Sequence, residues 1–236
     1  MRKSVMTVGV LGFFLLAAGA YAVSNVLQAK PDEFDPSKTQ LVQASWLEGI
    51  GCPTEATIAP FGEDETTYTD PACPTGDDRD GKVEGLLLVK TGPTNNNASA
   101  IAELKNVKGL TLTELGYDIR KPGVSADPRG SHCGAGAPRF NVVTEEAGYF
   151  IGCNSPPAPV QDPGSGWLRL RWGGSTPLLG FDMQTGALEP VAGEVVRITI
   201  VFDEGQDAGP GNFGAAALDN IVVNDRVVGQ GAVDAS

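Results

Sequence analysis

Carboxylates are the most numerous side chains here that can do chemistry: 29 Asp and Glu stand against 17 Lys and Arg, with a single histidine, His132. Carboxylates that alternate with small residues can cage a hard cation through oxygen ligands. The stretch Gly76-Asp77-Asp78-Arg79-Asp80-Gly81 has part of that alternation, with Asp78 and Asp80 placed before a glycine that permits a sharp bend. It lacks an opening aspartate, and Leu87 stands where a twelfth-position bidentate Glu belongs. A looser site using Asp77, Asp78, Asp80 or Glu84 is one reading, and a solvated acidic turn is the other. The same stretch has phosphate-loop spacing up to Lys82, but Val83 replaces the magnesium-holding Ser or Thr, and three carboxylates would repel a triphosphate. Farther on, Asp203, Glu204 and Asp207 follow an apolar run. Strand parity places Asp219 on the face of Ile221 and Val223. A carboxylate among apolar neighbours needs a cation, an arginine or backbone N–H groups. A structural calcium held by Asp219 and Asp203, with Asp78 and Asp80 as further ligands, is one answer. Strand-end hydrogen bonding is the other.

Trp167-Leu168-Arg169-Leu170-Arg171-Trp172 alternates strictly. Leu168, Leu170 and Trp172 share one face, while Trp167, Arg169 and Arg171 share the other. A Trp beside two guanidinium groups can stack on a sugar ring and donate hydrogen bonds to hydroxyls or carboxylates. The alternative has the proline-rich loop 156–163 cover Trp167 while the arginines pair with acids. Catalytic motifs are thin. Gly-x-Ser-x-Gly is absent, and His-Glu-x-x-His cannot occur with one histidine. Paired carboxylates for glycoside hydrolysis stay open, because so many acids make their presence uninformative. The sequon Asn97-Ala98-Ser99 is formally present.

The four cysteines are Cys52, Cys73, Cys133 and Cys153. No CxxC-type pair suggests zinc. Proximity favours Cys52–Cys73 and Cys133–Cys153, two loops of about 20 residues worth roughly 3 kcal/mol each in the chain-entropy model. Disulfides fit an exported chain, and the N-terminus has the pattern of an export signal. Arg2 and Lys3 precede an apolar run from Val5, which ends at Ala20-Tyr21-Ala22, a small-x-small cleavage pattern. Residues 1–22 thus read as a signal peptide, with an uncleaved anchor as the alternative. The expected location is secreted or cell-surface. Cleavage would remove two basic residues and leave 15 basic against 29 acidic, a net charge of −14. Such a balance disfavours nucleic acid and, beyond the N-terminal segment, any membrane partner.

These groups need elements to position them. Residues 23–38, with Pro31 and Pro36, read as a linker, and 39–236 as one domain. Val42, Ala44 and Trp46 alternate with polar residues as in a half-buried strand. Leu86–Val89 suits a strand buried on both faces. Leu115–Ile119, Trp167–Trp172, Val195–Phe202 and Ala216–Val223 read as strands. Arg139–Thr144 and Tyr149–Cys153 form a hairpin, and Ala98–Leu104 fits strand or helix. The 31 glycines and 17 prolines punctuate the rest, so 49–81, 122–138 and 154–166 read as loops. Short strands separated by turn-rich loops predict an all-β antiparallel β-sandwich, jelly-roll-like. Trp46, Leu115, Tyr117, Phe140, Val142, Leu170, Ile198, Ile200 and Phe202 should be buried.

Leu218-Asp219-Asn220-Ile221-Val222-Val223 resembles the last strand of jelly-roll modules of the carbohydrate-binding and galactose-binding-like kind. In those families a carboxylate near this strand often helps hold a structural calcium, a role that would fall on Asp219. The segments Arg139-Phe140-Asn141-Val142, Tyr149-Phe150-Ile151-Gly152-Cys153 and Val201-Phe202-Asp203-Glu204-Gly205 are similar to exported bacterial proteins without assigned activity. The resemblance implies a non-catalytic module that binds glycan or another surface ligand. A structural cell-surface protein and a hydrolase acting on glycosides remain alternatives.

Overall fold

Period-two burial is clearest in the strand Arg139–Thr144, where Phe140, Val142 and Thr144 are buried and the residues between them are half-exposed. The same pattern recurs along the chain. The computed structural model describes residues 27–51, 84–91, 97–121, 137–156, 161–164, 167–203 and 213–228. They hold fourteen strands and no helix. In chain order these are β1 (Gln28–Phe34), β2 (Val42–Leu47), β3 (Gly85–Thr91), β4 (Ser99–Lys105), β5 (Glu114–Arg120), β6 (Arg139–Thr144), β7 (Gly148–Ile151), β8 (Gln161–Gly164), β9 (Trp167–Gly173), β10 (Leu179–Asp182), β11 (Leu188–Pro190), β12 (Val195–Phe202), β13 (Phe213–Val223) and β14 (Arg226–Val228).

Two antiparallel sheets result. Sheet 1 has the order β1-β4-β12-β6-β7-β10-β11 and sheet 2 the order β2-β3-β13-β5-β9-β8, with β14 also pairing β13. The central strands are β4-β12-β6-β7 in one sheet and β3-β13-β5-β9 in the other. From β3 to β6 the chain alternates between sheets, β6 and β7 form a hairpin, and the late strands β12 and β13 insert between early ones. That is the jelly-roll path. The expectation of an antiparallel, jelly-roll-like sandwich therefore holds.

The core lies between the sheets. Tyr117, Phe140 and Trp172 meet at its centre with ring centroids 5.4–6.0 Å apart, two of the three contacts edge-on. Their polar ends are satisfied, as burial requires. The Tyr117 hydroxyl donates to the Pro138 carbonyl at 2.5 Å, and Trp172 Nε1 donates to the Gly152 carbonyl at 2.9 Å. Burial pushes the Tyr117 phenol well above its ordinary range. Of the nine residues expected in the core, eight are fully buried, and Trp46 packs partly buried against their edge. Trp46 Nε1 donates to the Ala29 carbonyl at 2.8 Å and so ties sheet 2 to sheet 1.

Three segments differ from the sequence reading. The linker 23–38 contains β1, which pairs with β4 from Gln28↔Lys105 to Phe34↔Ser99 and buries Ala29. Pro31 and the charges Lys30, Asp32 and Glu33 disguise it, yet all are tolerated on an edge strand. Residues 161–164 of the expected loop 154–166 form β8 beside β9. The short strands β10 and β11 extend sheet 1 beyond β7. The signal segment 1–22, Cys52, Cys73, Cys133, His132, Asp78 and Asp80 lie outside the described residues. Cys153 lies within them and is not a free thiol.

Candidate functional site

The outer face of sheet 2 carries most of the residues singled out above. Trp167 is 0% exposed and packs with Ile50, Leu87 and Ala217. This overturns the exposed aromatic platform, because no ring face is left for a sugar. Arg169 and Arg171 are likewise committed inward. Arg169 Nε and Nη2 donate to the two Asp118 oxygens at 2.9 and 3.0 Å, and Arg171 Nη2 donates to Oδ1 at 3.2 Å. Asn220 Nδ2 adds a fourth bond, to Oδ2 at 3.0 Å. Asp118 is itself 0% exposed, so this is a buried charge compensated on both oxygens. Burial pulls the Arg171 guanidinium down, and Asp118 opposes that shift. Gly116 makes the arrangement possible: a Cβ there would fall 2.3 Å from Arg171 Cδ and 2.6 Å from the Leu170 carbonyl oxygen. Trp167, Arg169 and Arg171 therefore share a face as parity predicted, but that face is covered and internally paired.

Asp219 sits on this outer face as well, not on the face of Ile221 and Val223. A β-bulge causes the change. The β13–β5 register shifts between Asp219 and Val222, and Asn220 takes φ 45°, so parity inverts across it. Asp219 is nevertheless 1% exposed. Its Oδ1 accepts the Asn220 N–H at 2.6 Å. Its Oδ2 and the Glu84 carbonyl oxygen both close on Gly51, lying 2.9 and 2.5 Å from where a Cβ would stand. Both oxygens thus pack against Gly51, where no side chain fits, and a carboxylate and a backbone carbonyl are donors of the type a hard cation takes.

Asp203 does not join them. Arg139 Nη1 and Nη2 donate to its two oxygens at 2.7 Å each, and Lys90 Nζ donates to its backbone carbonyl at 3.1 Å. Burial pushes the Asp203 carboxyl up, but the Arg139 hydrogen bonds and charge prevail and hold it below the usual range. Both Asp203 carboxylate oxygens are thus taken up by Arg139. Asp203 therefore serves an ion pair, and Asp78 and Asp80 of the expected calcium shell lie outside the described residues. Among the described residues no group of three His, Cys, Asp or Glu is placed to hold a metal.

A solvent-open concavity lies elsewhere, on the outer face of sheet 1. A pocket of about 410 Å³ is lined by Ala137, Arg139, Phe150, Gly152, Cys153, Asn154, Ser155 and Phe181. Phe150 is 37% exposed, and the Arg139 guanidinium stands 5.3 Å from its ring centroid. Antiparallel register aligns Asn141, Phe150, Phe181 and Leu188 in one row across β6, β7, β10 and β11. Leu188, at the far end, is 40% exposed. Gly152 forms part of the floor, where a Cβ would approach Arg139 Cβ to 3.0 Å. Ser155 Oγ donates to the Phe150 carbonyl at 3.4 Å and steadies the turn after β7. Among the described residues no carboxylate lines this pocket, and Asp203 touches the lining through Arg139.

Sequence reasoning missed this site. One signal was present, because Phe150 lies between buried Tyr149 and Ile151 and must point outward. Phe181 and Leu188 had no assigned strand to give them parity. Comparison with family models, curated proteins and solved structures gives no match, so the assignment rests on the geometry alone.

Proposed function

We propose that this chain is an exported, non-catalytic jelly-roll binding module that takes an extracellular glycan on the outer face of sheet 1. One observation carries the reading: a solvent-open aromatic ring, Phe150, stands beside the Arg139–Asp203 pair in a pocket of about 410 Å³. An exposed ring supplies apolar area to the face of a sugar, and a planar guanidinium with the neighbouring Asn154 and Ser155 supplies donors and acceptors for its hydroxyls. The test is a glycan array probed with the mature protein and with Phe150→Ala. Bound glycans should be lost in the variant, whereas an array with no bound glycan would sink the reading.

Export rests on the pattern of residues 1–22, and two disulfides, Cys52–Cys73 and Cys133–Cys153, accord with that compartment. A structural calcium belongs to the same reading, with Asp219 and the Glu84 carbonyl as its holders. The ion would add oxygen coordination that stabilises the fold and would supply no reaction chemistry. The buried Trp167 favours a second reading, a structural surface protein without a small ligand. On that account Phe150→Ala changes neither binding nor retention at the cell surface.

A further inference from the structure

Resting on the glycan reading above, we infer that the Phe150 pocket selects neutral sugar chains and rejects uronate- or sulfate-bearing ones, with the Arg139–Asp203 pair as the selecting device. Arg139 is the one cation lining the pocket among the described residues, and Asp203 already engages its guanidinium at two points, 2.7 Å each. An acidic sugar would have to displace Asp203 from that fork, or bind beside a carboxylate of its own sign. Lys90 adds charge behind the pair, but it is nearly buried and does not line the pocket. Asn154 and Ser155 are neutral. The chain carries a formal net charge of −12, which repels polyanions at longer range.

The paired groups still suit hydroxyls. A guanidinium has five N–H donors, of which this ion pair uses two, and the Asn154 amide and Ser155 hydroxyl of the lining can accept as well as donate. Donors and acceptors are therefore both at hand for the hydroxyls of a sugar ring. The apolar row gives the direction of the chain. Phe150, Phe181 and Leu188 stand on three neighbouring strands, so the row spans two strand spacings, about 10 Å. A sugar with equatorial hydroxyls presents C–H groups on its faces, and a chain of such sugars crossing β7, β10 and β11 would lay them along this row.

The experiment uses the mature protein on an array printed with neutral, uronate-bearing and sulfated glycans, followed by titration with the best binder of each class. Wild type should bind neutral glycans at least tenfold better than acidic ones. Phe150→Ala should weaken that binding at least tenfold, while Phe150→Trp, which keeps a ring, should retain it. Asp203→Asn preserves size but frees the Arg139 charge, and should shift the neutral-to-acidic preference at least tenfold toward acidic glycans. Near-ultraviolet circular dichroism establishes that each variant is folded. Acidic glycans bound preferentially by wild type, in a Phe150-dependent manner, would overturn this inference and leave the glycan reading standing. So would an unchanged preference in Asp203→Asn. Binding that ignores Phe150, or no binding to any glycan, would overturn both.

Discussion

Asp118 accepts hydrogen bonds from Arg169, Arg171 and Asn220 at a position with no solvent exposure. Removing the carboxylate leaves two guanidinium groups without their shared anion. Asp118→Ala should therefore lower stability by about 3–5 kcal/mol, read from urea unfolding, whereas a loss under 1 kcal/mol would mean that the cluster is well solvated. Asp203 is a milder case, since it and Arg139 are each about a third exposed. Its folded-state carboxyl lies below its unfolded value, so the pair stabilises the fold above the ordinary carboxylate range and loses that contribution as pH falls through the folded value. Asp203→Asn should cost about 1 kcal/mol or less at neutral pH. The gap between wild type and variant should close as the pH drops below about 4. A gap that widens in acid would reverse the assigned sign.

At the scale of elements, β1 is the segment whose role changed most between sequence and structure. It pairs with β4 over seven residues and supplies the carbonyl that receives Trp46 Nε1. A chain beginning at Thr39 should melt several degrees below one beginning at Val23 and should expose Trp46 to quenchers. Equal melting temperatures would restore the linker reading. Where alternation was unbroken, as in β5, β6, β9 and the part of β12 from Ile198 onward, parity alone located the face turned to the core. It failed at β13, because one extra residue at Asn220 inverts every side chain beyond it, and no alternation pattern announces a bulge. For Trp167 parity found the correct face, but a strand's own alternation carries no information about what covers its outer side. The Phe150 site was hidden for a related reason: its other walls come from strands of three and four residues, too short to show a period.

For the whole molecule, calcium is the testable extra component. If Asp219 and the Glu84 carbonyl hold the ion, free calcium at about a hundred times its dissociation constant adds roughly 2.7 kcal/mol to stability. Chelator should then lower the melting temperature, and Asp219→Asn should remove that response. A melting curve indifferent to both calcium and chelator would remove the metal. The topology has a separate consequence. The two strands that complete the sheet centres, β12 and β13, are among the last in the chain, and each lies between partners that precede it by many residues. Until they emerge, β4 has no neighbour toward β6, and β3 has none toward β5. A nascent chain ending at residue 194 should stay open, sensitive to protease and without the near-ultraviolet signal of its packed aromatics. Synthesis order thus imposes a delay: the polypeptide stays unlocked until nearly all of it has been made, and, on the proposed reading of residues 1–22 as an export signal, it would stay threadable through a narrow translocation channel and lock only on the far side.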